Sequence, residues 1–306
     1  MHVLVTGISG FIGPRLARHL LAAGDRVSGT YYIDHPAFPE AGEVRLFEVD
    51  LQDAAGLERV IRETAPDAII HLAGLSHVGE SWGRMSEYFR VNVLGTDNLL
   101  TLAGGRPVVI ASSAEVYGLV PEAEQPIAED RIVDPRTPYA LSKAAAERLG
   151  FLRGAVVARC FNLVGPGQAT KFALPTFAAQ LAAIARGEKE PVLRVGNLQA
   201  RRDFVHVDDG AAAFRLLAAR GTPGGVYNVA SGRAFSIAEA LDRLMAHSGV
   251  AARIEEDPER MRPADLPLLL GSSGPLRALG WTPERTLDDA LADLWSAALP
   301  HPEGRA

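Results

Sequence analysis

Three glycines follow the first apolar segment of the chain at a regular spacing. Residues 2–6 (HVLVT) are followed by Gly7, Gly10 and Gly13, and an apolar-periodic segment then extends to about Ala23. The apolar run predicts a short buried strand, and the periodic segment predicts a helix. Glycine permits a tight turn that other residues resist. The chain therefore opens with a predicted strand, a glycine-rich turn and a helix.

A strand, a glycine-rich turn and a helix are the context that a dinucleotide-binding loop requires. Gly7 would permit the tight turn, Gly10 would let the backbone approach a pyrophosphate, and Gly13 would let the helix pack on the strand. The helix N-terminus would then face the phosphates. The predicted cofactor-binding residues of this loop are Gly7, Ser9, Gly10, Phe11, Ile12 and Gly13.

A short apolar strand followed by a helix recurs about six times up to Cys160. This alternation predicts an α/β fold with a doubly wound parallel Rossmann sheet. The pattern changes after Asn162, where helices and short strands mix at 173–186, 191–195, 204–207, 208–219, 226–229 and 236–247, and residues 163–168 are predicted to form a loop. We expect residues 1–162, which contain the glycine-rich loop, to bind a dinucleotide such as NAD(P). The family resemblance described below implies that residues 163–306 form a smaller α/β substrate lobe, with some elements crossing back.

Composition excludes several classes of protein. The chain has 306 residues, of which 47% are hydrophobic, and a net charge of −6 with both signs scattered. It offers no basic patch for nucleic acid or for a membrane surface. No apolar run reaches the roughly 18 residues of a spanning helix, and the first residues do not resemble a cleavable leader. We expect a cytoplasmic protein without a metal, in which Cys160 is a small buried hydrophobe at a strand end.

Tyr139 and Lys143 lie four positions apart on a predicted helix, which puts them on one face. A phenol normally titrates near pH ~10, and a nearby ammonium favours the phenolate. We therefore expect Lys143 to lower the pKa of Tyr139 and to support proton transfer by it. An exposed helix face is the alternative, because this spacing alone is a weak signal.

Three stretches in this order resemble the extended short-chain dehydrogenase/reductases, the nucleotide-sugar branch of that superfamily. They are TGISGFIG (6–13), SSAEVYG (112–118) and PYALSK (138–143). The resemblance implies that Ser113 hydrogen-bonds a substrate oxygen, that Tyr139 exchanges the proton and that Lys143 also binds the nicotinamide ribose. Glu115 stands where 4,6-dehydratases use a glutamate, but related 4-keto reductases can carry one too.

The resemblance also implies further cofactor contacts, from Thr30, Asp50, Leu51, Leu72, Ala73, Gly74, Tyr139 and Lys143. Asp50 could instead be a helix N-cap. The second strand ends without an acid before Asp34, which favours NADP(H), but no arginine stands there to bind the 2′-phosphate. NADP(H) and NAD(H) both stay open. His71 and Asn92 are interpreted as structural.

Four pieces of the second half resemble GDP-sugar enzymes of this family, the GDP-6-deoxy-4-keto-mannose reductases first and the GDP-mannose 4,6-dehydratases second. They span residues 159–168, 190–197, 201–204 and 262–267. The implied substrate-binding residues are Asn162 at the sugar or diphosphate, Arg202 and Arg262 at the diphosphate, and Arg194 and Asn197 near the nucleoside. Solvated salt bridges are the alternative for the arginines, and Asp203, Asp208, Asp209 and His206 are interpreted as caps, surface charges or structural groups.

The expected function is NAD(P)H-dependent reduction of the C4 keto group of a GDP-4-keto-6-deoxy-hexose, as in deoxysugar synthesis of the GDP-rhamnose type. A GDP-mannose 4,6-dehydratase or another sugar-nucleotide 4-epimerase or dehydratase is the alternative. A non-catalytic NAD(P)-sensing protein is a remote one, because Ser113, Tyr139 and Lys143 are all present. By analogy with the family we expect a homodimer formed through helices around 86–103 and 137–152.

Overall fold

The strand that opens the chain lies inside a parallel sheet of seven strands. In this computed structural model, which describes residues 1–33, 38–260 and 266–299, β1 is His2–Thr6. The other strands of this sheet are β2 (Arg26–Tyr31), β3 (Arg45–Glu48), β4 (Ala68–His71), β5 (Val108–Ser113), β6 (Val156–Cys160) and β10 (Val226–Val229), numbered in chain order. The spatial order β3-β2-β1-β4-β5-β6-β10 reverses direction between β1 and β4, and every pairing is parallel.

Helices cover both faces of this sheet. They are α1 (Gly13–Ala22), α2 (Ala54–Thr64), α3 (Val78–Ser81), α4 (Met85–Phe89), α5 (Gly95–Leu102), α6 (Pro138–Leu152) and α8 (Val207–Arg220), with a π-helical segment at Arg90–Leu94 that joins α4 to α5. Leu16 of α1 packs with Phe214 of α8 in one core cluster, and Leu57 of α2 packs with Leu99 of α5 in another. The predicted doubly wound α/β fold is confirmed.

A second group of elements packs around its own core. The strands β7 (Asn162–Val164), β11 (Ala234–Ser236) and β13 (Leu268–Leu269) all pair with β9 (Arg201–His206), while β8 (Val192–Val195) pairs with β12 (Arg253–Glu256). The helices of this group are α7 (Ala173–Ala185), α9 (Ile237–Ser248) and α11 (Leu287–Ala298), whereas α10 (Gly274–Ala278) packs beside β10 and places Leu276 in the first core. Leu181, Leu241 and Leu291 meet in this second core. The division of function between residues 1–162 and 163–306 stays a prediction.

The strand β9 was only partly predicted, because its first three residues, 201–203, are charged and do not match a strand pattern. It begins at Arg201 rather than at residue 204, and Leu163 pairs with it in β7, within a stretch predicted to be a loop. Asp203 in this strand is fully buried and accepts hydrogen bonds from the amides of Ser231 (2.8 Å) and Gly232 (3.0 Å). The interpretation of Asp203 as a cap or surface charge is wrong, because its carboxylate is buried and accepts hydrogen bonds from backbone amides instead of from water.

No helix in the described part of the chain is both long enough and apolar enough to span a bilayer.

Candidate active site

The turn between β1 and α1 is closed so tightly that larger residues do not fit. Gly7 has φ +70°, and a Cβ there would lie 2.7 Å from the Cα of Ala73. A Cβ on Gly13 would lie 2.2 Å from the carbonyl oxygen of Ile8. Both distances are far below van der Waals contact. The structure thus agrees with the predicted tight turn at Gly7 and close helix packing at Gly13.

A cavity of about 950 Å³ begins at this loop. Its wall at this end is formed by Gly7, Gly10, Phe11, Ile12, Leu72 and Gly74. The helix α1 starts here, and within the described residues no side chain caps its first amides. Free amides at a helix N-terminus bind anions such as phosphate. The loop therefore fits the pyrophosphate of a dinucleotide.

Ser113, Tyr139 and Lys143 meet in the wall of the same cavity. Ser113 ends β5, and the other two lie in the first turns of α6, which begins after the N-cap Thr137. The hydroxyl of Ser113 lies close enough to the Tyr139 phenol to lower its pKa. Lys143 Nζ donates to the carbonyl oxygen of Ala111 at 2.9 Å. A strand end and a helix start thus bring together three residues that the sequence singled out.

Burial, rather than Lys143, dominates the titration of Tyr139. Burial raises the pKa of the Tyr139 phenol above its ordinary value, the nearby Ser113 hydroxyl lowers it, and the charge of Glu115 raises it. The expectation that Lys143 lowers this pKa is therefore wrong for the protein alone, where the ammonium is bonded to Ala111. A protonated phenol at neutral pH can donate a proton to a substrate oxygen.

Burial also lowers the pKa of Lys143, to about 8, although Cys160 and Glu147 oppose the shift. The ammonium form therefore prevails at neutral pH. The buried ring of His71, 2.7 Å from Thr6 Oγ1, has its pKa lowered to about 3 by burial and by Lys143. His71 is neutral at pH 7, in agreement with its interpretation as structural.

The buried side chain of Asn92 lies in the π-helical segment and links the loop after β4 to α6. Its amide nitrogen donates to the carbonyl of Leu75 (3.0 Å) and to Ser142 Oγ (2.9 Å), while its oxygen accepts from the Leu75 amide (2.8 Å). A Cβ on Gly74 would lie 2.8 Å from this oxygen. Asn92 is structural, as the sequence indicated, and it explains why the turn at residue 74 needs a glycine.

Polar side chains also line the cavity. Glu115, Asn162, Asn197 and Arg202 all line it. The guanidinium of Arg202 is buried and donates to the carbonyl of Leu266 at 2.6 Å. These residues come from both groups of elements, and the cavity therefore connects the glycine-rich loop to the second core.

Among the described residues, one predicted substrate-binding residue is not in this wall. Arg194 is exposed on β8, exchanges backbone hydrogen bonds with the side chain of Gln180 (2.9 and 3.1 Å), and is not among the lining residues. Arg262 lies outside the described residues. The roles of both stay predictions.

Several predicted cofactor contacts lie beside the cavity rather than in its wall. They are Ser9, Thr30, Asp50, Leu51 and Ala73. The carboxylate of Asp50 accepts from the amide of Gln52 at 3.0 Å, whereas α2 is capped by Asp53, 2.9 Å from the amide of Gly56. The N-cap interpretation of Asp50 is therefore wrong. The cofactor contacts of these five residues stay predictions.

Sequence patterns did not reveal the rim of the cavity. Lys171 Nζ lies 3.2 Å from both carboxylate oxygens of Glu80, and the rings of His77 and Phe172 pack edge to face with centroids 5.4 Å apart. The first of these contacts joins residues 91 positions apart in the chain. Arg260 also lines the cavity. None of these residues lies at a strand end or in a motif, so the sequence carried no signal for them.

Cys160 lies in the cavity wall at the end of β6. Burial raises the pKa of its thiol to about 12, although Lys143 lowers it, so the thiol is neutral at physiological pH. This agrees with its interpretation as a small apolar side chain. Across residues 1–33, 38–260 and 266–299, no three His, Cys, Asp or Glu side chains are grouped as a metal site.

Comparisons with known proteins agree with this geometry. A family profile described as GDP-mannose 4,6 dehydratase matches residues 4–294. The chain is 37% identical over 305 residues to GDP-6-deoxy-D-mannose reductase of Pseudomonas aeruginosa, and 96% of each protein is covered.

Solved structures show the same fold. RMD from Pseudomonas aeruginosa complexed with NADPH has a TM-score of 0.84 at 36% identity, covering 97% of this chain and 98% of that one. The Thermus thermophilus UDP-glucose 4-epimerase complex with NAD has a TM-score of 0.87 at 31% identity, covering 97% and 99%. This chain therefore belongs to the extended short-chain dehydrogenase/reductases, a family of NAD(P)-dependent sugar-nucleotide enzymes, and to the group whose profile is described as GDP-mannose 4,6 dehydratase.

Proposed function

We propose that this enzyme uses NADPH or NADH to reduce the C4 keto group of a GDP-4-keto-6-deoxy-hexose. The observation that carries the proposal is the meeting of Ser113, Tyr139 and Lys143 in the wall of a cavity that also contains the glycine-rich loop. The full-length identity to a GDP-6-deoxy-D-mannose reductase supports the choice of reaction and of nucleotide.

The side chains of the site can stabilise the transition state of the reduction. A bound reduced nicotinamide supplies the hydride. Tyr139, kept protonated by burial, donates its proton to the C4 oxygen as negative charge develops there, and Ser113 hydrogen-bonds the same oxygen. The ammonium of Lys143 then offsets the charge left on the phenolate. In the proposed complex Lys143 also holds the nicotinamide ribose.

The polar side chains of the cavity suit a sugar diphosphate. The planar guanidinium of Arg202 matches phosphate oxygens, and its buried position strengthens the attraction. Asn162 and Asn197 offer amide donors and acceptors to the sugar and the nucleoside. We include Arg194 and Arg262 in the proposed substrate-binding set on the family resemblance.

We further propose that the enzyme is a cytoplasmic homodimer. Leu94, Leu141 and Leu152 are 59%, 46% and 81% exposed on the α4–α5 and α6 helices, where the family dimerises. Exposed leucines clustered on two adjacent helices favour a second copy as the partner. Light scattering of the purified protein measures the mass directly, and a monomer would exclude this part of the proposal.

The function is tested by the loss of nicotinamide absorbance when GDP-4-keto-6-deoxy-mannose is added to enzyme with NADPH, and separately with NADH. Reduction consumes one cofactor for each sugar, and the two rates identify the preferred cofactor. A sugar product formed without net cofactor loss would instead indicate a dehydratase or an epimerase, which regenerate their nicotinamide.

The dehydratase is the second candidate because Glu115 lines the cavity close enough to Tyr139 to raise its pKa. A carboxylate beside the reacting sugar could assist the elimination of water. GDP-mannose with the enzyme and catalytic NADP+ tests this candidate. Formation of a 4-keto sugar would establish the dehydratase reaction.

A further inference from the structure

The last three residues of β5, residues 111–113, each contact α6. Their partners are Lys143, Glu147 and Tyr139, which lie one helical turn apart on one face of the helix. The contacts made by residues 111 and 113 involve the proposed catalytic residues Lys143 and Tyr139. The third contact involves Glu147, which the sequence patterns did not single out.

Glu147 is a buried carboxylate whose oxygens are both bonded. Ser112 Oγ donates to Oε1 at 2.5 Å, Arg159 Nε donates to Oε1 at 3.0 Å, and Arg159 Nη2 donates to Oε2 at 2.8 Å. The side chains of Glu147 and Arg159 are only 2% and 5% exposed. This bidentate contact fixes both the distance and the orientation of Glu147 and Arg159.

Arg159 is itself held on its other sides. Its Nη1 donates to the carbonyl of Glu129 at 3.2 Å, and its guanidinium lies 4.7 Å from the ring centroid of Tyr117. Its neighbour on β6, Cys160, faces Lys143 in the cavity wall. The pair therefore connects β5, β6 and α6 directly beneath the site.

We propose that Glu147, held by Arg159 and Ser112, is a positioning residue that sets the depth of α6 against β5 and keeps the Lys143 side chain charged. This inference rests on the proposed function only in so far as Lys143 supports Tyr139. It assigns to Glu147 no contact with substrate or cofactor.

Of the titratable groups that face Lys143, Glu147 is the carboxylate. On α6 these groups are Tyr139 and Glu147, on β6 Cys160, and on β4 His71. Burial raises the pKa of Cys160 to about 12 and lowers that of His71 to about 3, so both are neutral at pH 7. Among the described residues, Glu147 is thus the carboxylate that raises the pKa of Lys143, and the positive Arg159 is bonded to Glu147 itself.

The chain offers an unusually direct test, because it contains only three lysines, Lys143, Lys171 and Lys189. The side-chain nitrogen signals of the free, isotopically labelled protein can be followed by NMR as pH is varied, and a Lys143→Met variant assigns the signal of interest. In Glu147→Gln the titration midpoint of Lys143 should fall by about one pH unit or more. A midpoint equal to that of the wild type overturns the proposal.

A second variant protects the test against misfolding, because Glu147→Gln leaves the buried Arg159 without its partner. The double change Glu147→Gln with Arg159→Met removes both charges and should lower the midpoint by less than the single change, because the loss of the positive Arg159 partly offsets the loss of Glu147, which lies one helical turn from Lys143. The matched control is Asp209→Asn, which removes a buried carboxylate that accepts from the amides of Glu284 (3.1 Å) and Arg285 (3.0 Å). The control should leave the Lys143 midpoint unchanged, and a double variant that also leaves it unchanged contradicts the proposal.

Kinetics provide the second readout. With NADPH and GDP-4-keto-6-deoxy-mannose, Glu147→Gln should lower kcat with little change in KM and should move the alkaline limb of the pH profile to lower pH. A purely structural role would lower stability and leave the pH profile in place. The NMR titration needs neither cofactor nor substrate, so an inactive wild-type protein would refute the proposed reaction and leave the role of Glu147 to be decided independently.

Discussion

The phenol of Tyr139, at the start of α6, and the hydroxyl of Ser113, at the end of β5, share the cavity wall, and Ser113 lowers the pKa of Tyr139. Two neighbouring hydroxyls can both address one substrate oxygen, and burial keeps the phenol protonated until a partner takes the proton. This arrangement depends on α6, which begins with Pro138 after the N-cap Thr137, whose hydroxyl accepts from the amide of Ala140 at 3.1 Å.

Removal of the phenolic hydroxyl is the first prediction. Tyr139→Phe should lower kcat by about 10²–10⁴-fold, because it deletes the proton donor and keeps the packing of the ring. The affinity for NADPH, measured by fluorescence titration, should change much less. Tyr227→Phe removes a buried phenolic hydroxyl that accepts from the amide of Thr222 at 3.1 Å, and it serves as the control. Equal kcat losses in the two variants would refute the assigned role.

The second prediction is a loss of activity above pH 8. Burial lowers the pKa of Lys143 to about 8, so the ammonium is present below that pH and is lost as pH rises through it. The ratio kcat/KM for NADPH, which reports the free enzyme, should therefore fall about tenfold for each pH unit above about 8. A ratio that stays constant up to the ordinary lysine pKa of ~10.4 would contradict this.

The same shift has the opposite effect on stability. Between about pH 8 and the ordinary lysine pKa of ~10.4, the unfolded chain binds the Lys143 proton and the folded protein does not. The free energy of unfolding contributed by this group therefore rises with pH across the window in which activity falls. Denaturant titrations of the wild type and Lys143→Met, repeated across this pH range, should show different pH dependence of that free energy. Identical pH dependence would contradict the lowered pKa.

The third prediction concerns the glycine-rich turn. Gly7→Ala and Gly24→Ala both place a Cβ at positive φ, +70° and +77°, at a cost of about 1–2 kcal/mol each. The Cβ at residue 7 would also meet the backbone of Ala73 at 2.7 Å, whereas at residue 24 nothing lies within 4 Å. Gly7→Ala should therefore lose about 1–3 kcal/mol more than its control in denaturant unfolding. Equal losses would show that the close approach is unimportant.

The fourth prediction separates substrate binding from chemistry. Arg202→Lys keeps the charge but loses the planar fork, so KM for the GDP-sugar should rise about tenfold or more while kcat stays close to the wild-type value. Arg243→Lys changes a surface arginine that is paired with Asp288 at 2.7 Å, and it should leave both constants unchanged. A fall in kcat at constant KM in Arg202→Lys would place that residue in the chemistry instead.

The fifth prediction uses Glu115 to separate two reactions. If the enzyme is a reductase, Glu115→Gln should keep most of the reduction, because Tyr139 and Ser113 supply the proton and the hydrogen bond. Elimination of water from GDP-mannose would instead require the carboxylate. Abolished reduction in Glu115→Gln with an intact fold would show that Glu115 acts in the reductase reaction itself.

Local patterns predicted six strands of the large sheet and the elements that carry Gly7, Ser113, Tyr139 and Lys143, because each is fixed by residues close in sequence. The seventh strand, β10, was expected with the second half of the chain, and its pairing with β6 is a long-range contact. The glycine spacing sets the turn, and the helical period puts the tyrosine and lysine on one face. These residues also lie at strand ends or helix starts, which a parallel sheet brings to one edge.

The features that local patterns missed depend on contacts between residues that are far apart in the chain. Asp203 looked like a cap or a surface charge, but its partner Ser231 is distant in the chain, as is Leu266, the partner that buries Arg202. The sign of the Tyr139 pKa shift was wrong for a similar reason, because burial depends on the whole fold. The sequence spacing placed Tyr139 and Lys143 on one face of α6, but it did not show that both side chains are buried, and burial sets the direction of their pKa shifts.

Transfer of deuterium to GDP-4-keto-6-deoxy-mannose from NADPH that carries deuterium at both C4 positions of the nicotinamide tests the central claim most directly. If the enzyme is the proposed reductase, the isolated 6-deoxy sugar carries deuterium at C4 in amounts equal to the cofactor oxidised, and Tyr139→Phe slows its appearance. A sugar product without deuterium, or cofactor that keeps its label while the sugar changes, would contradict the account and indicate an enzyme that regenerates its cofactor.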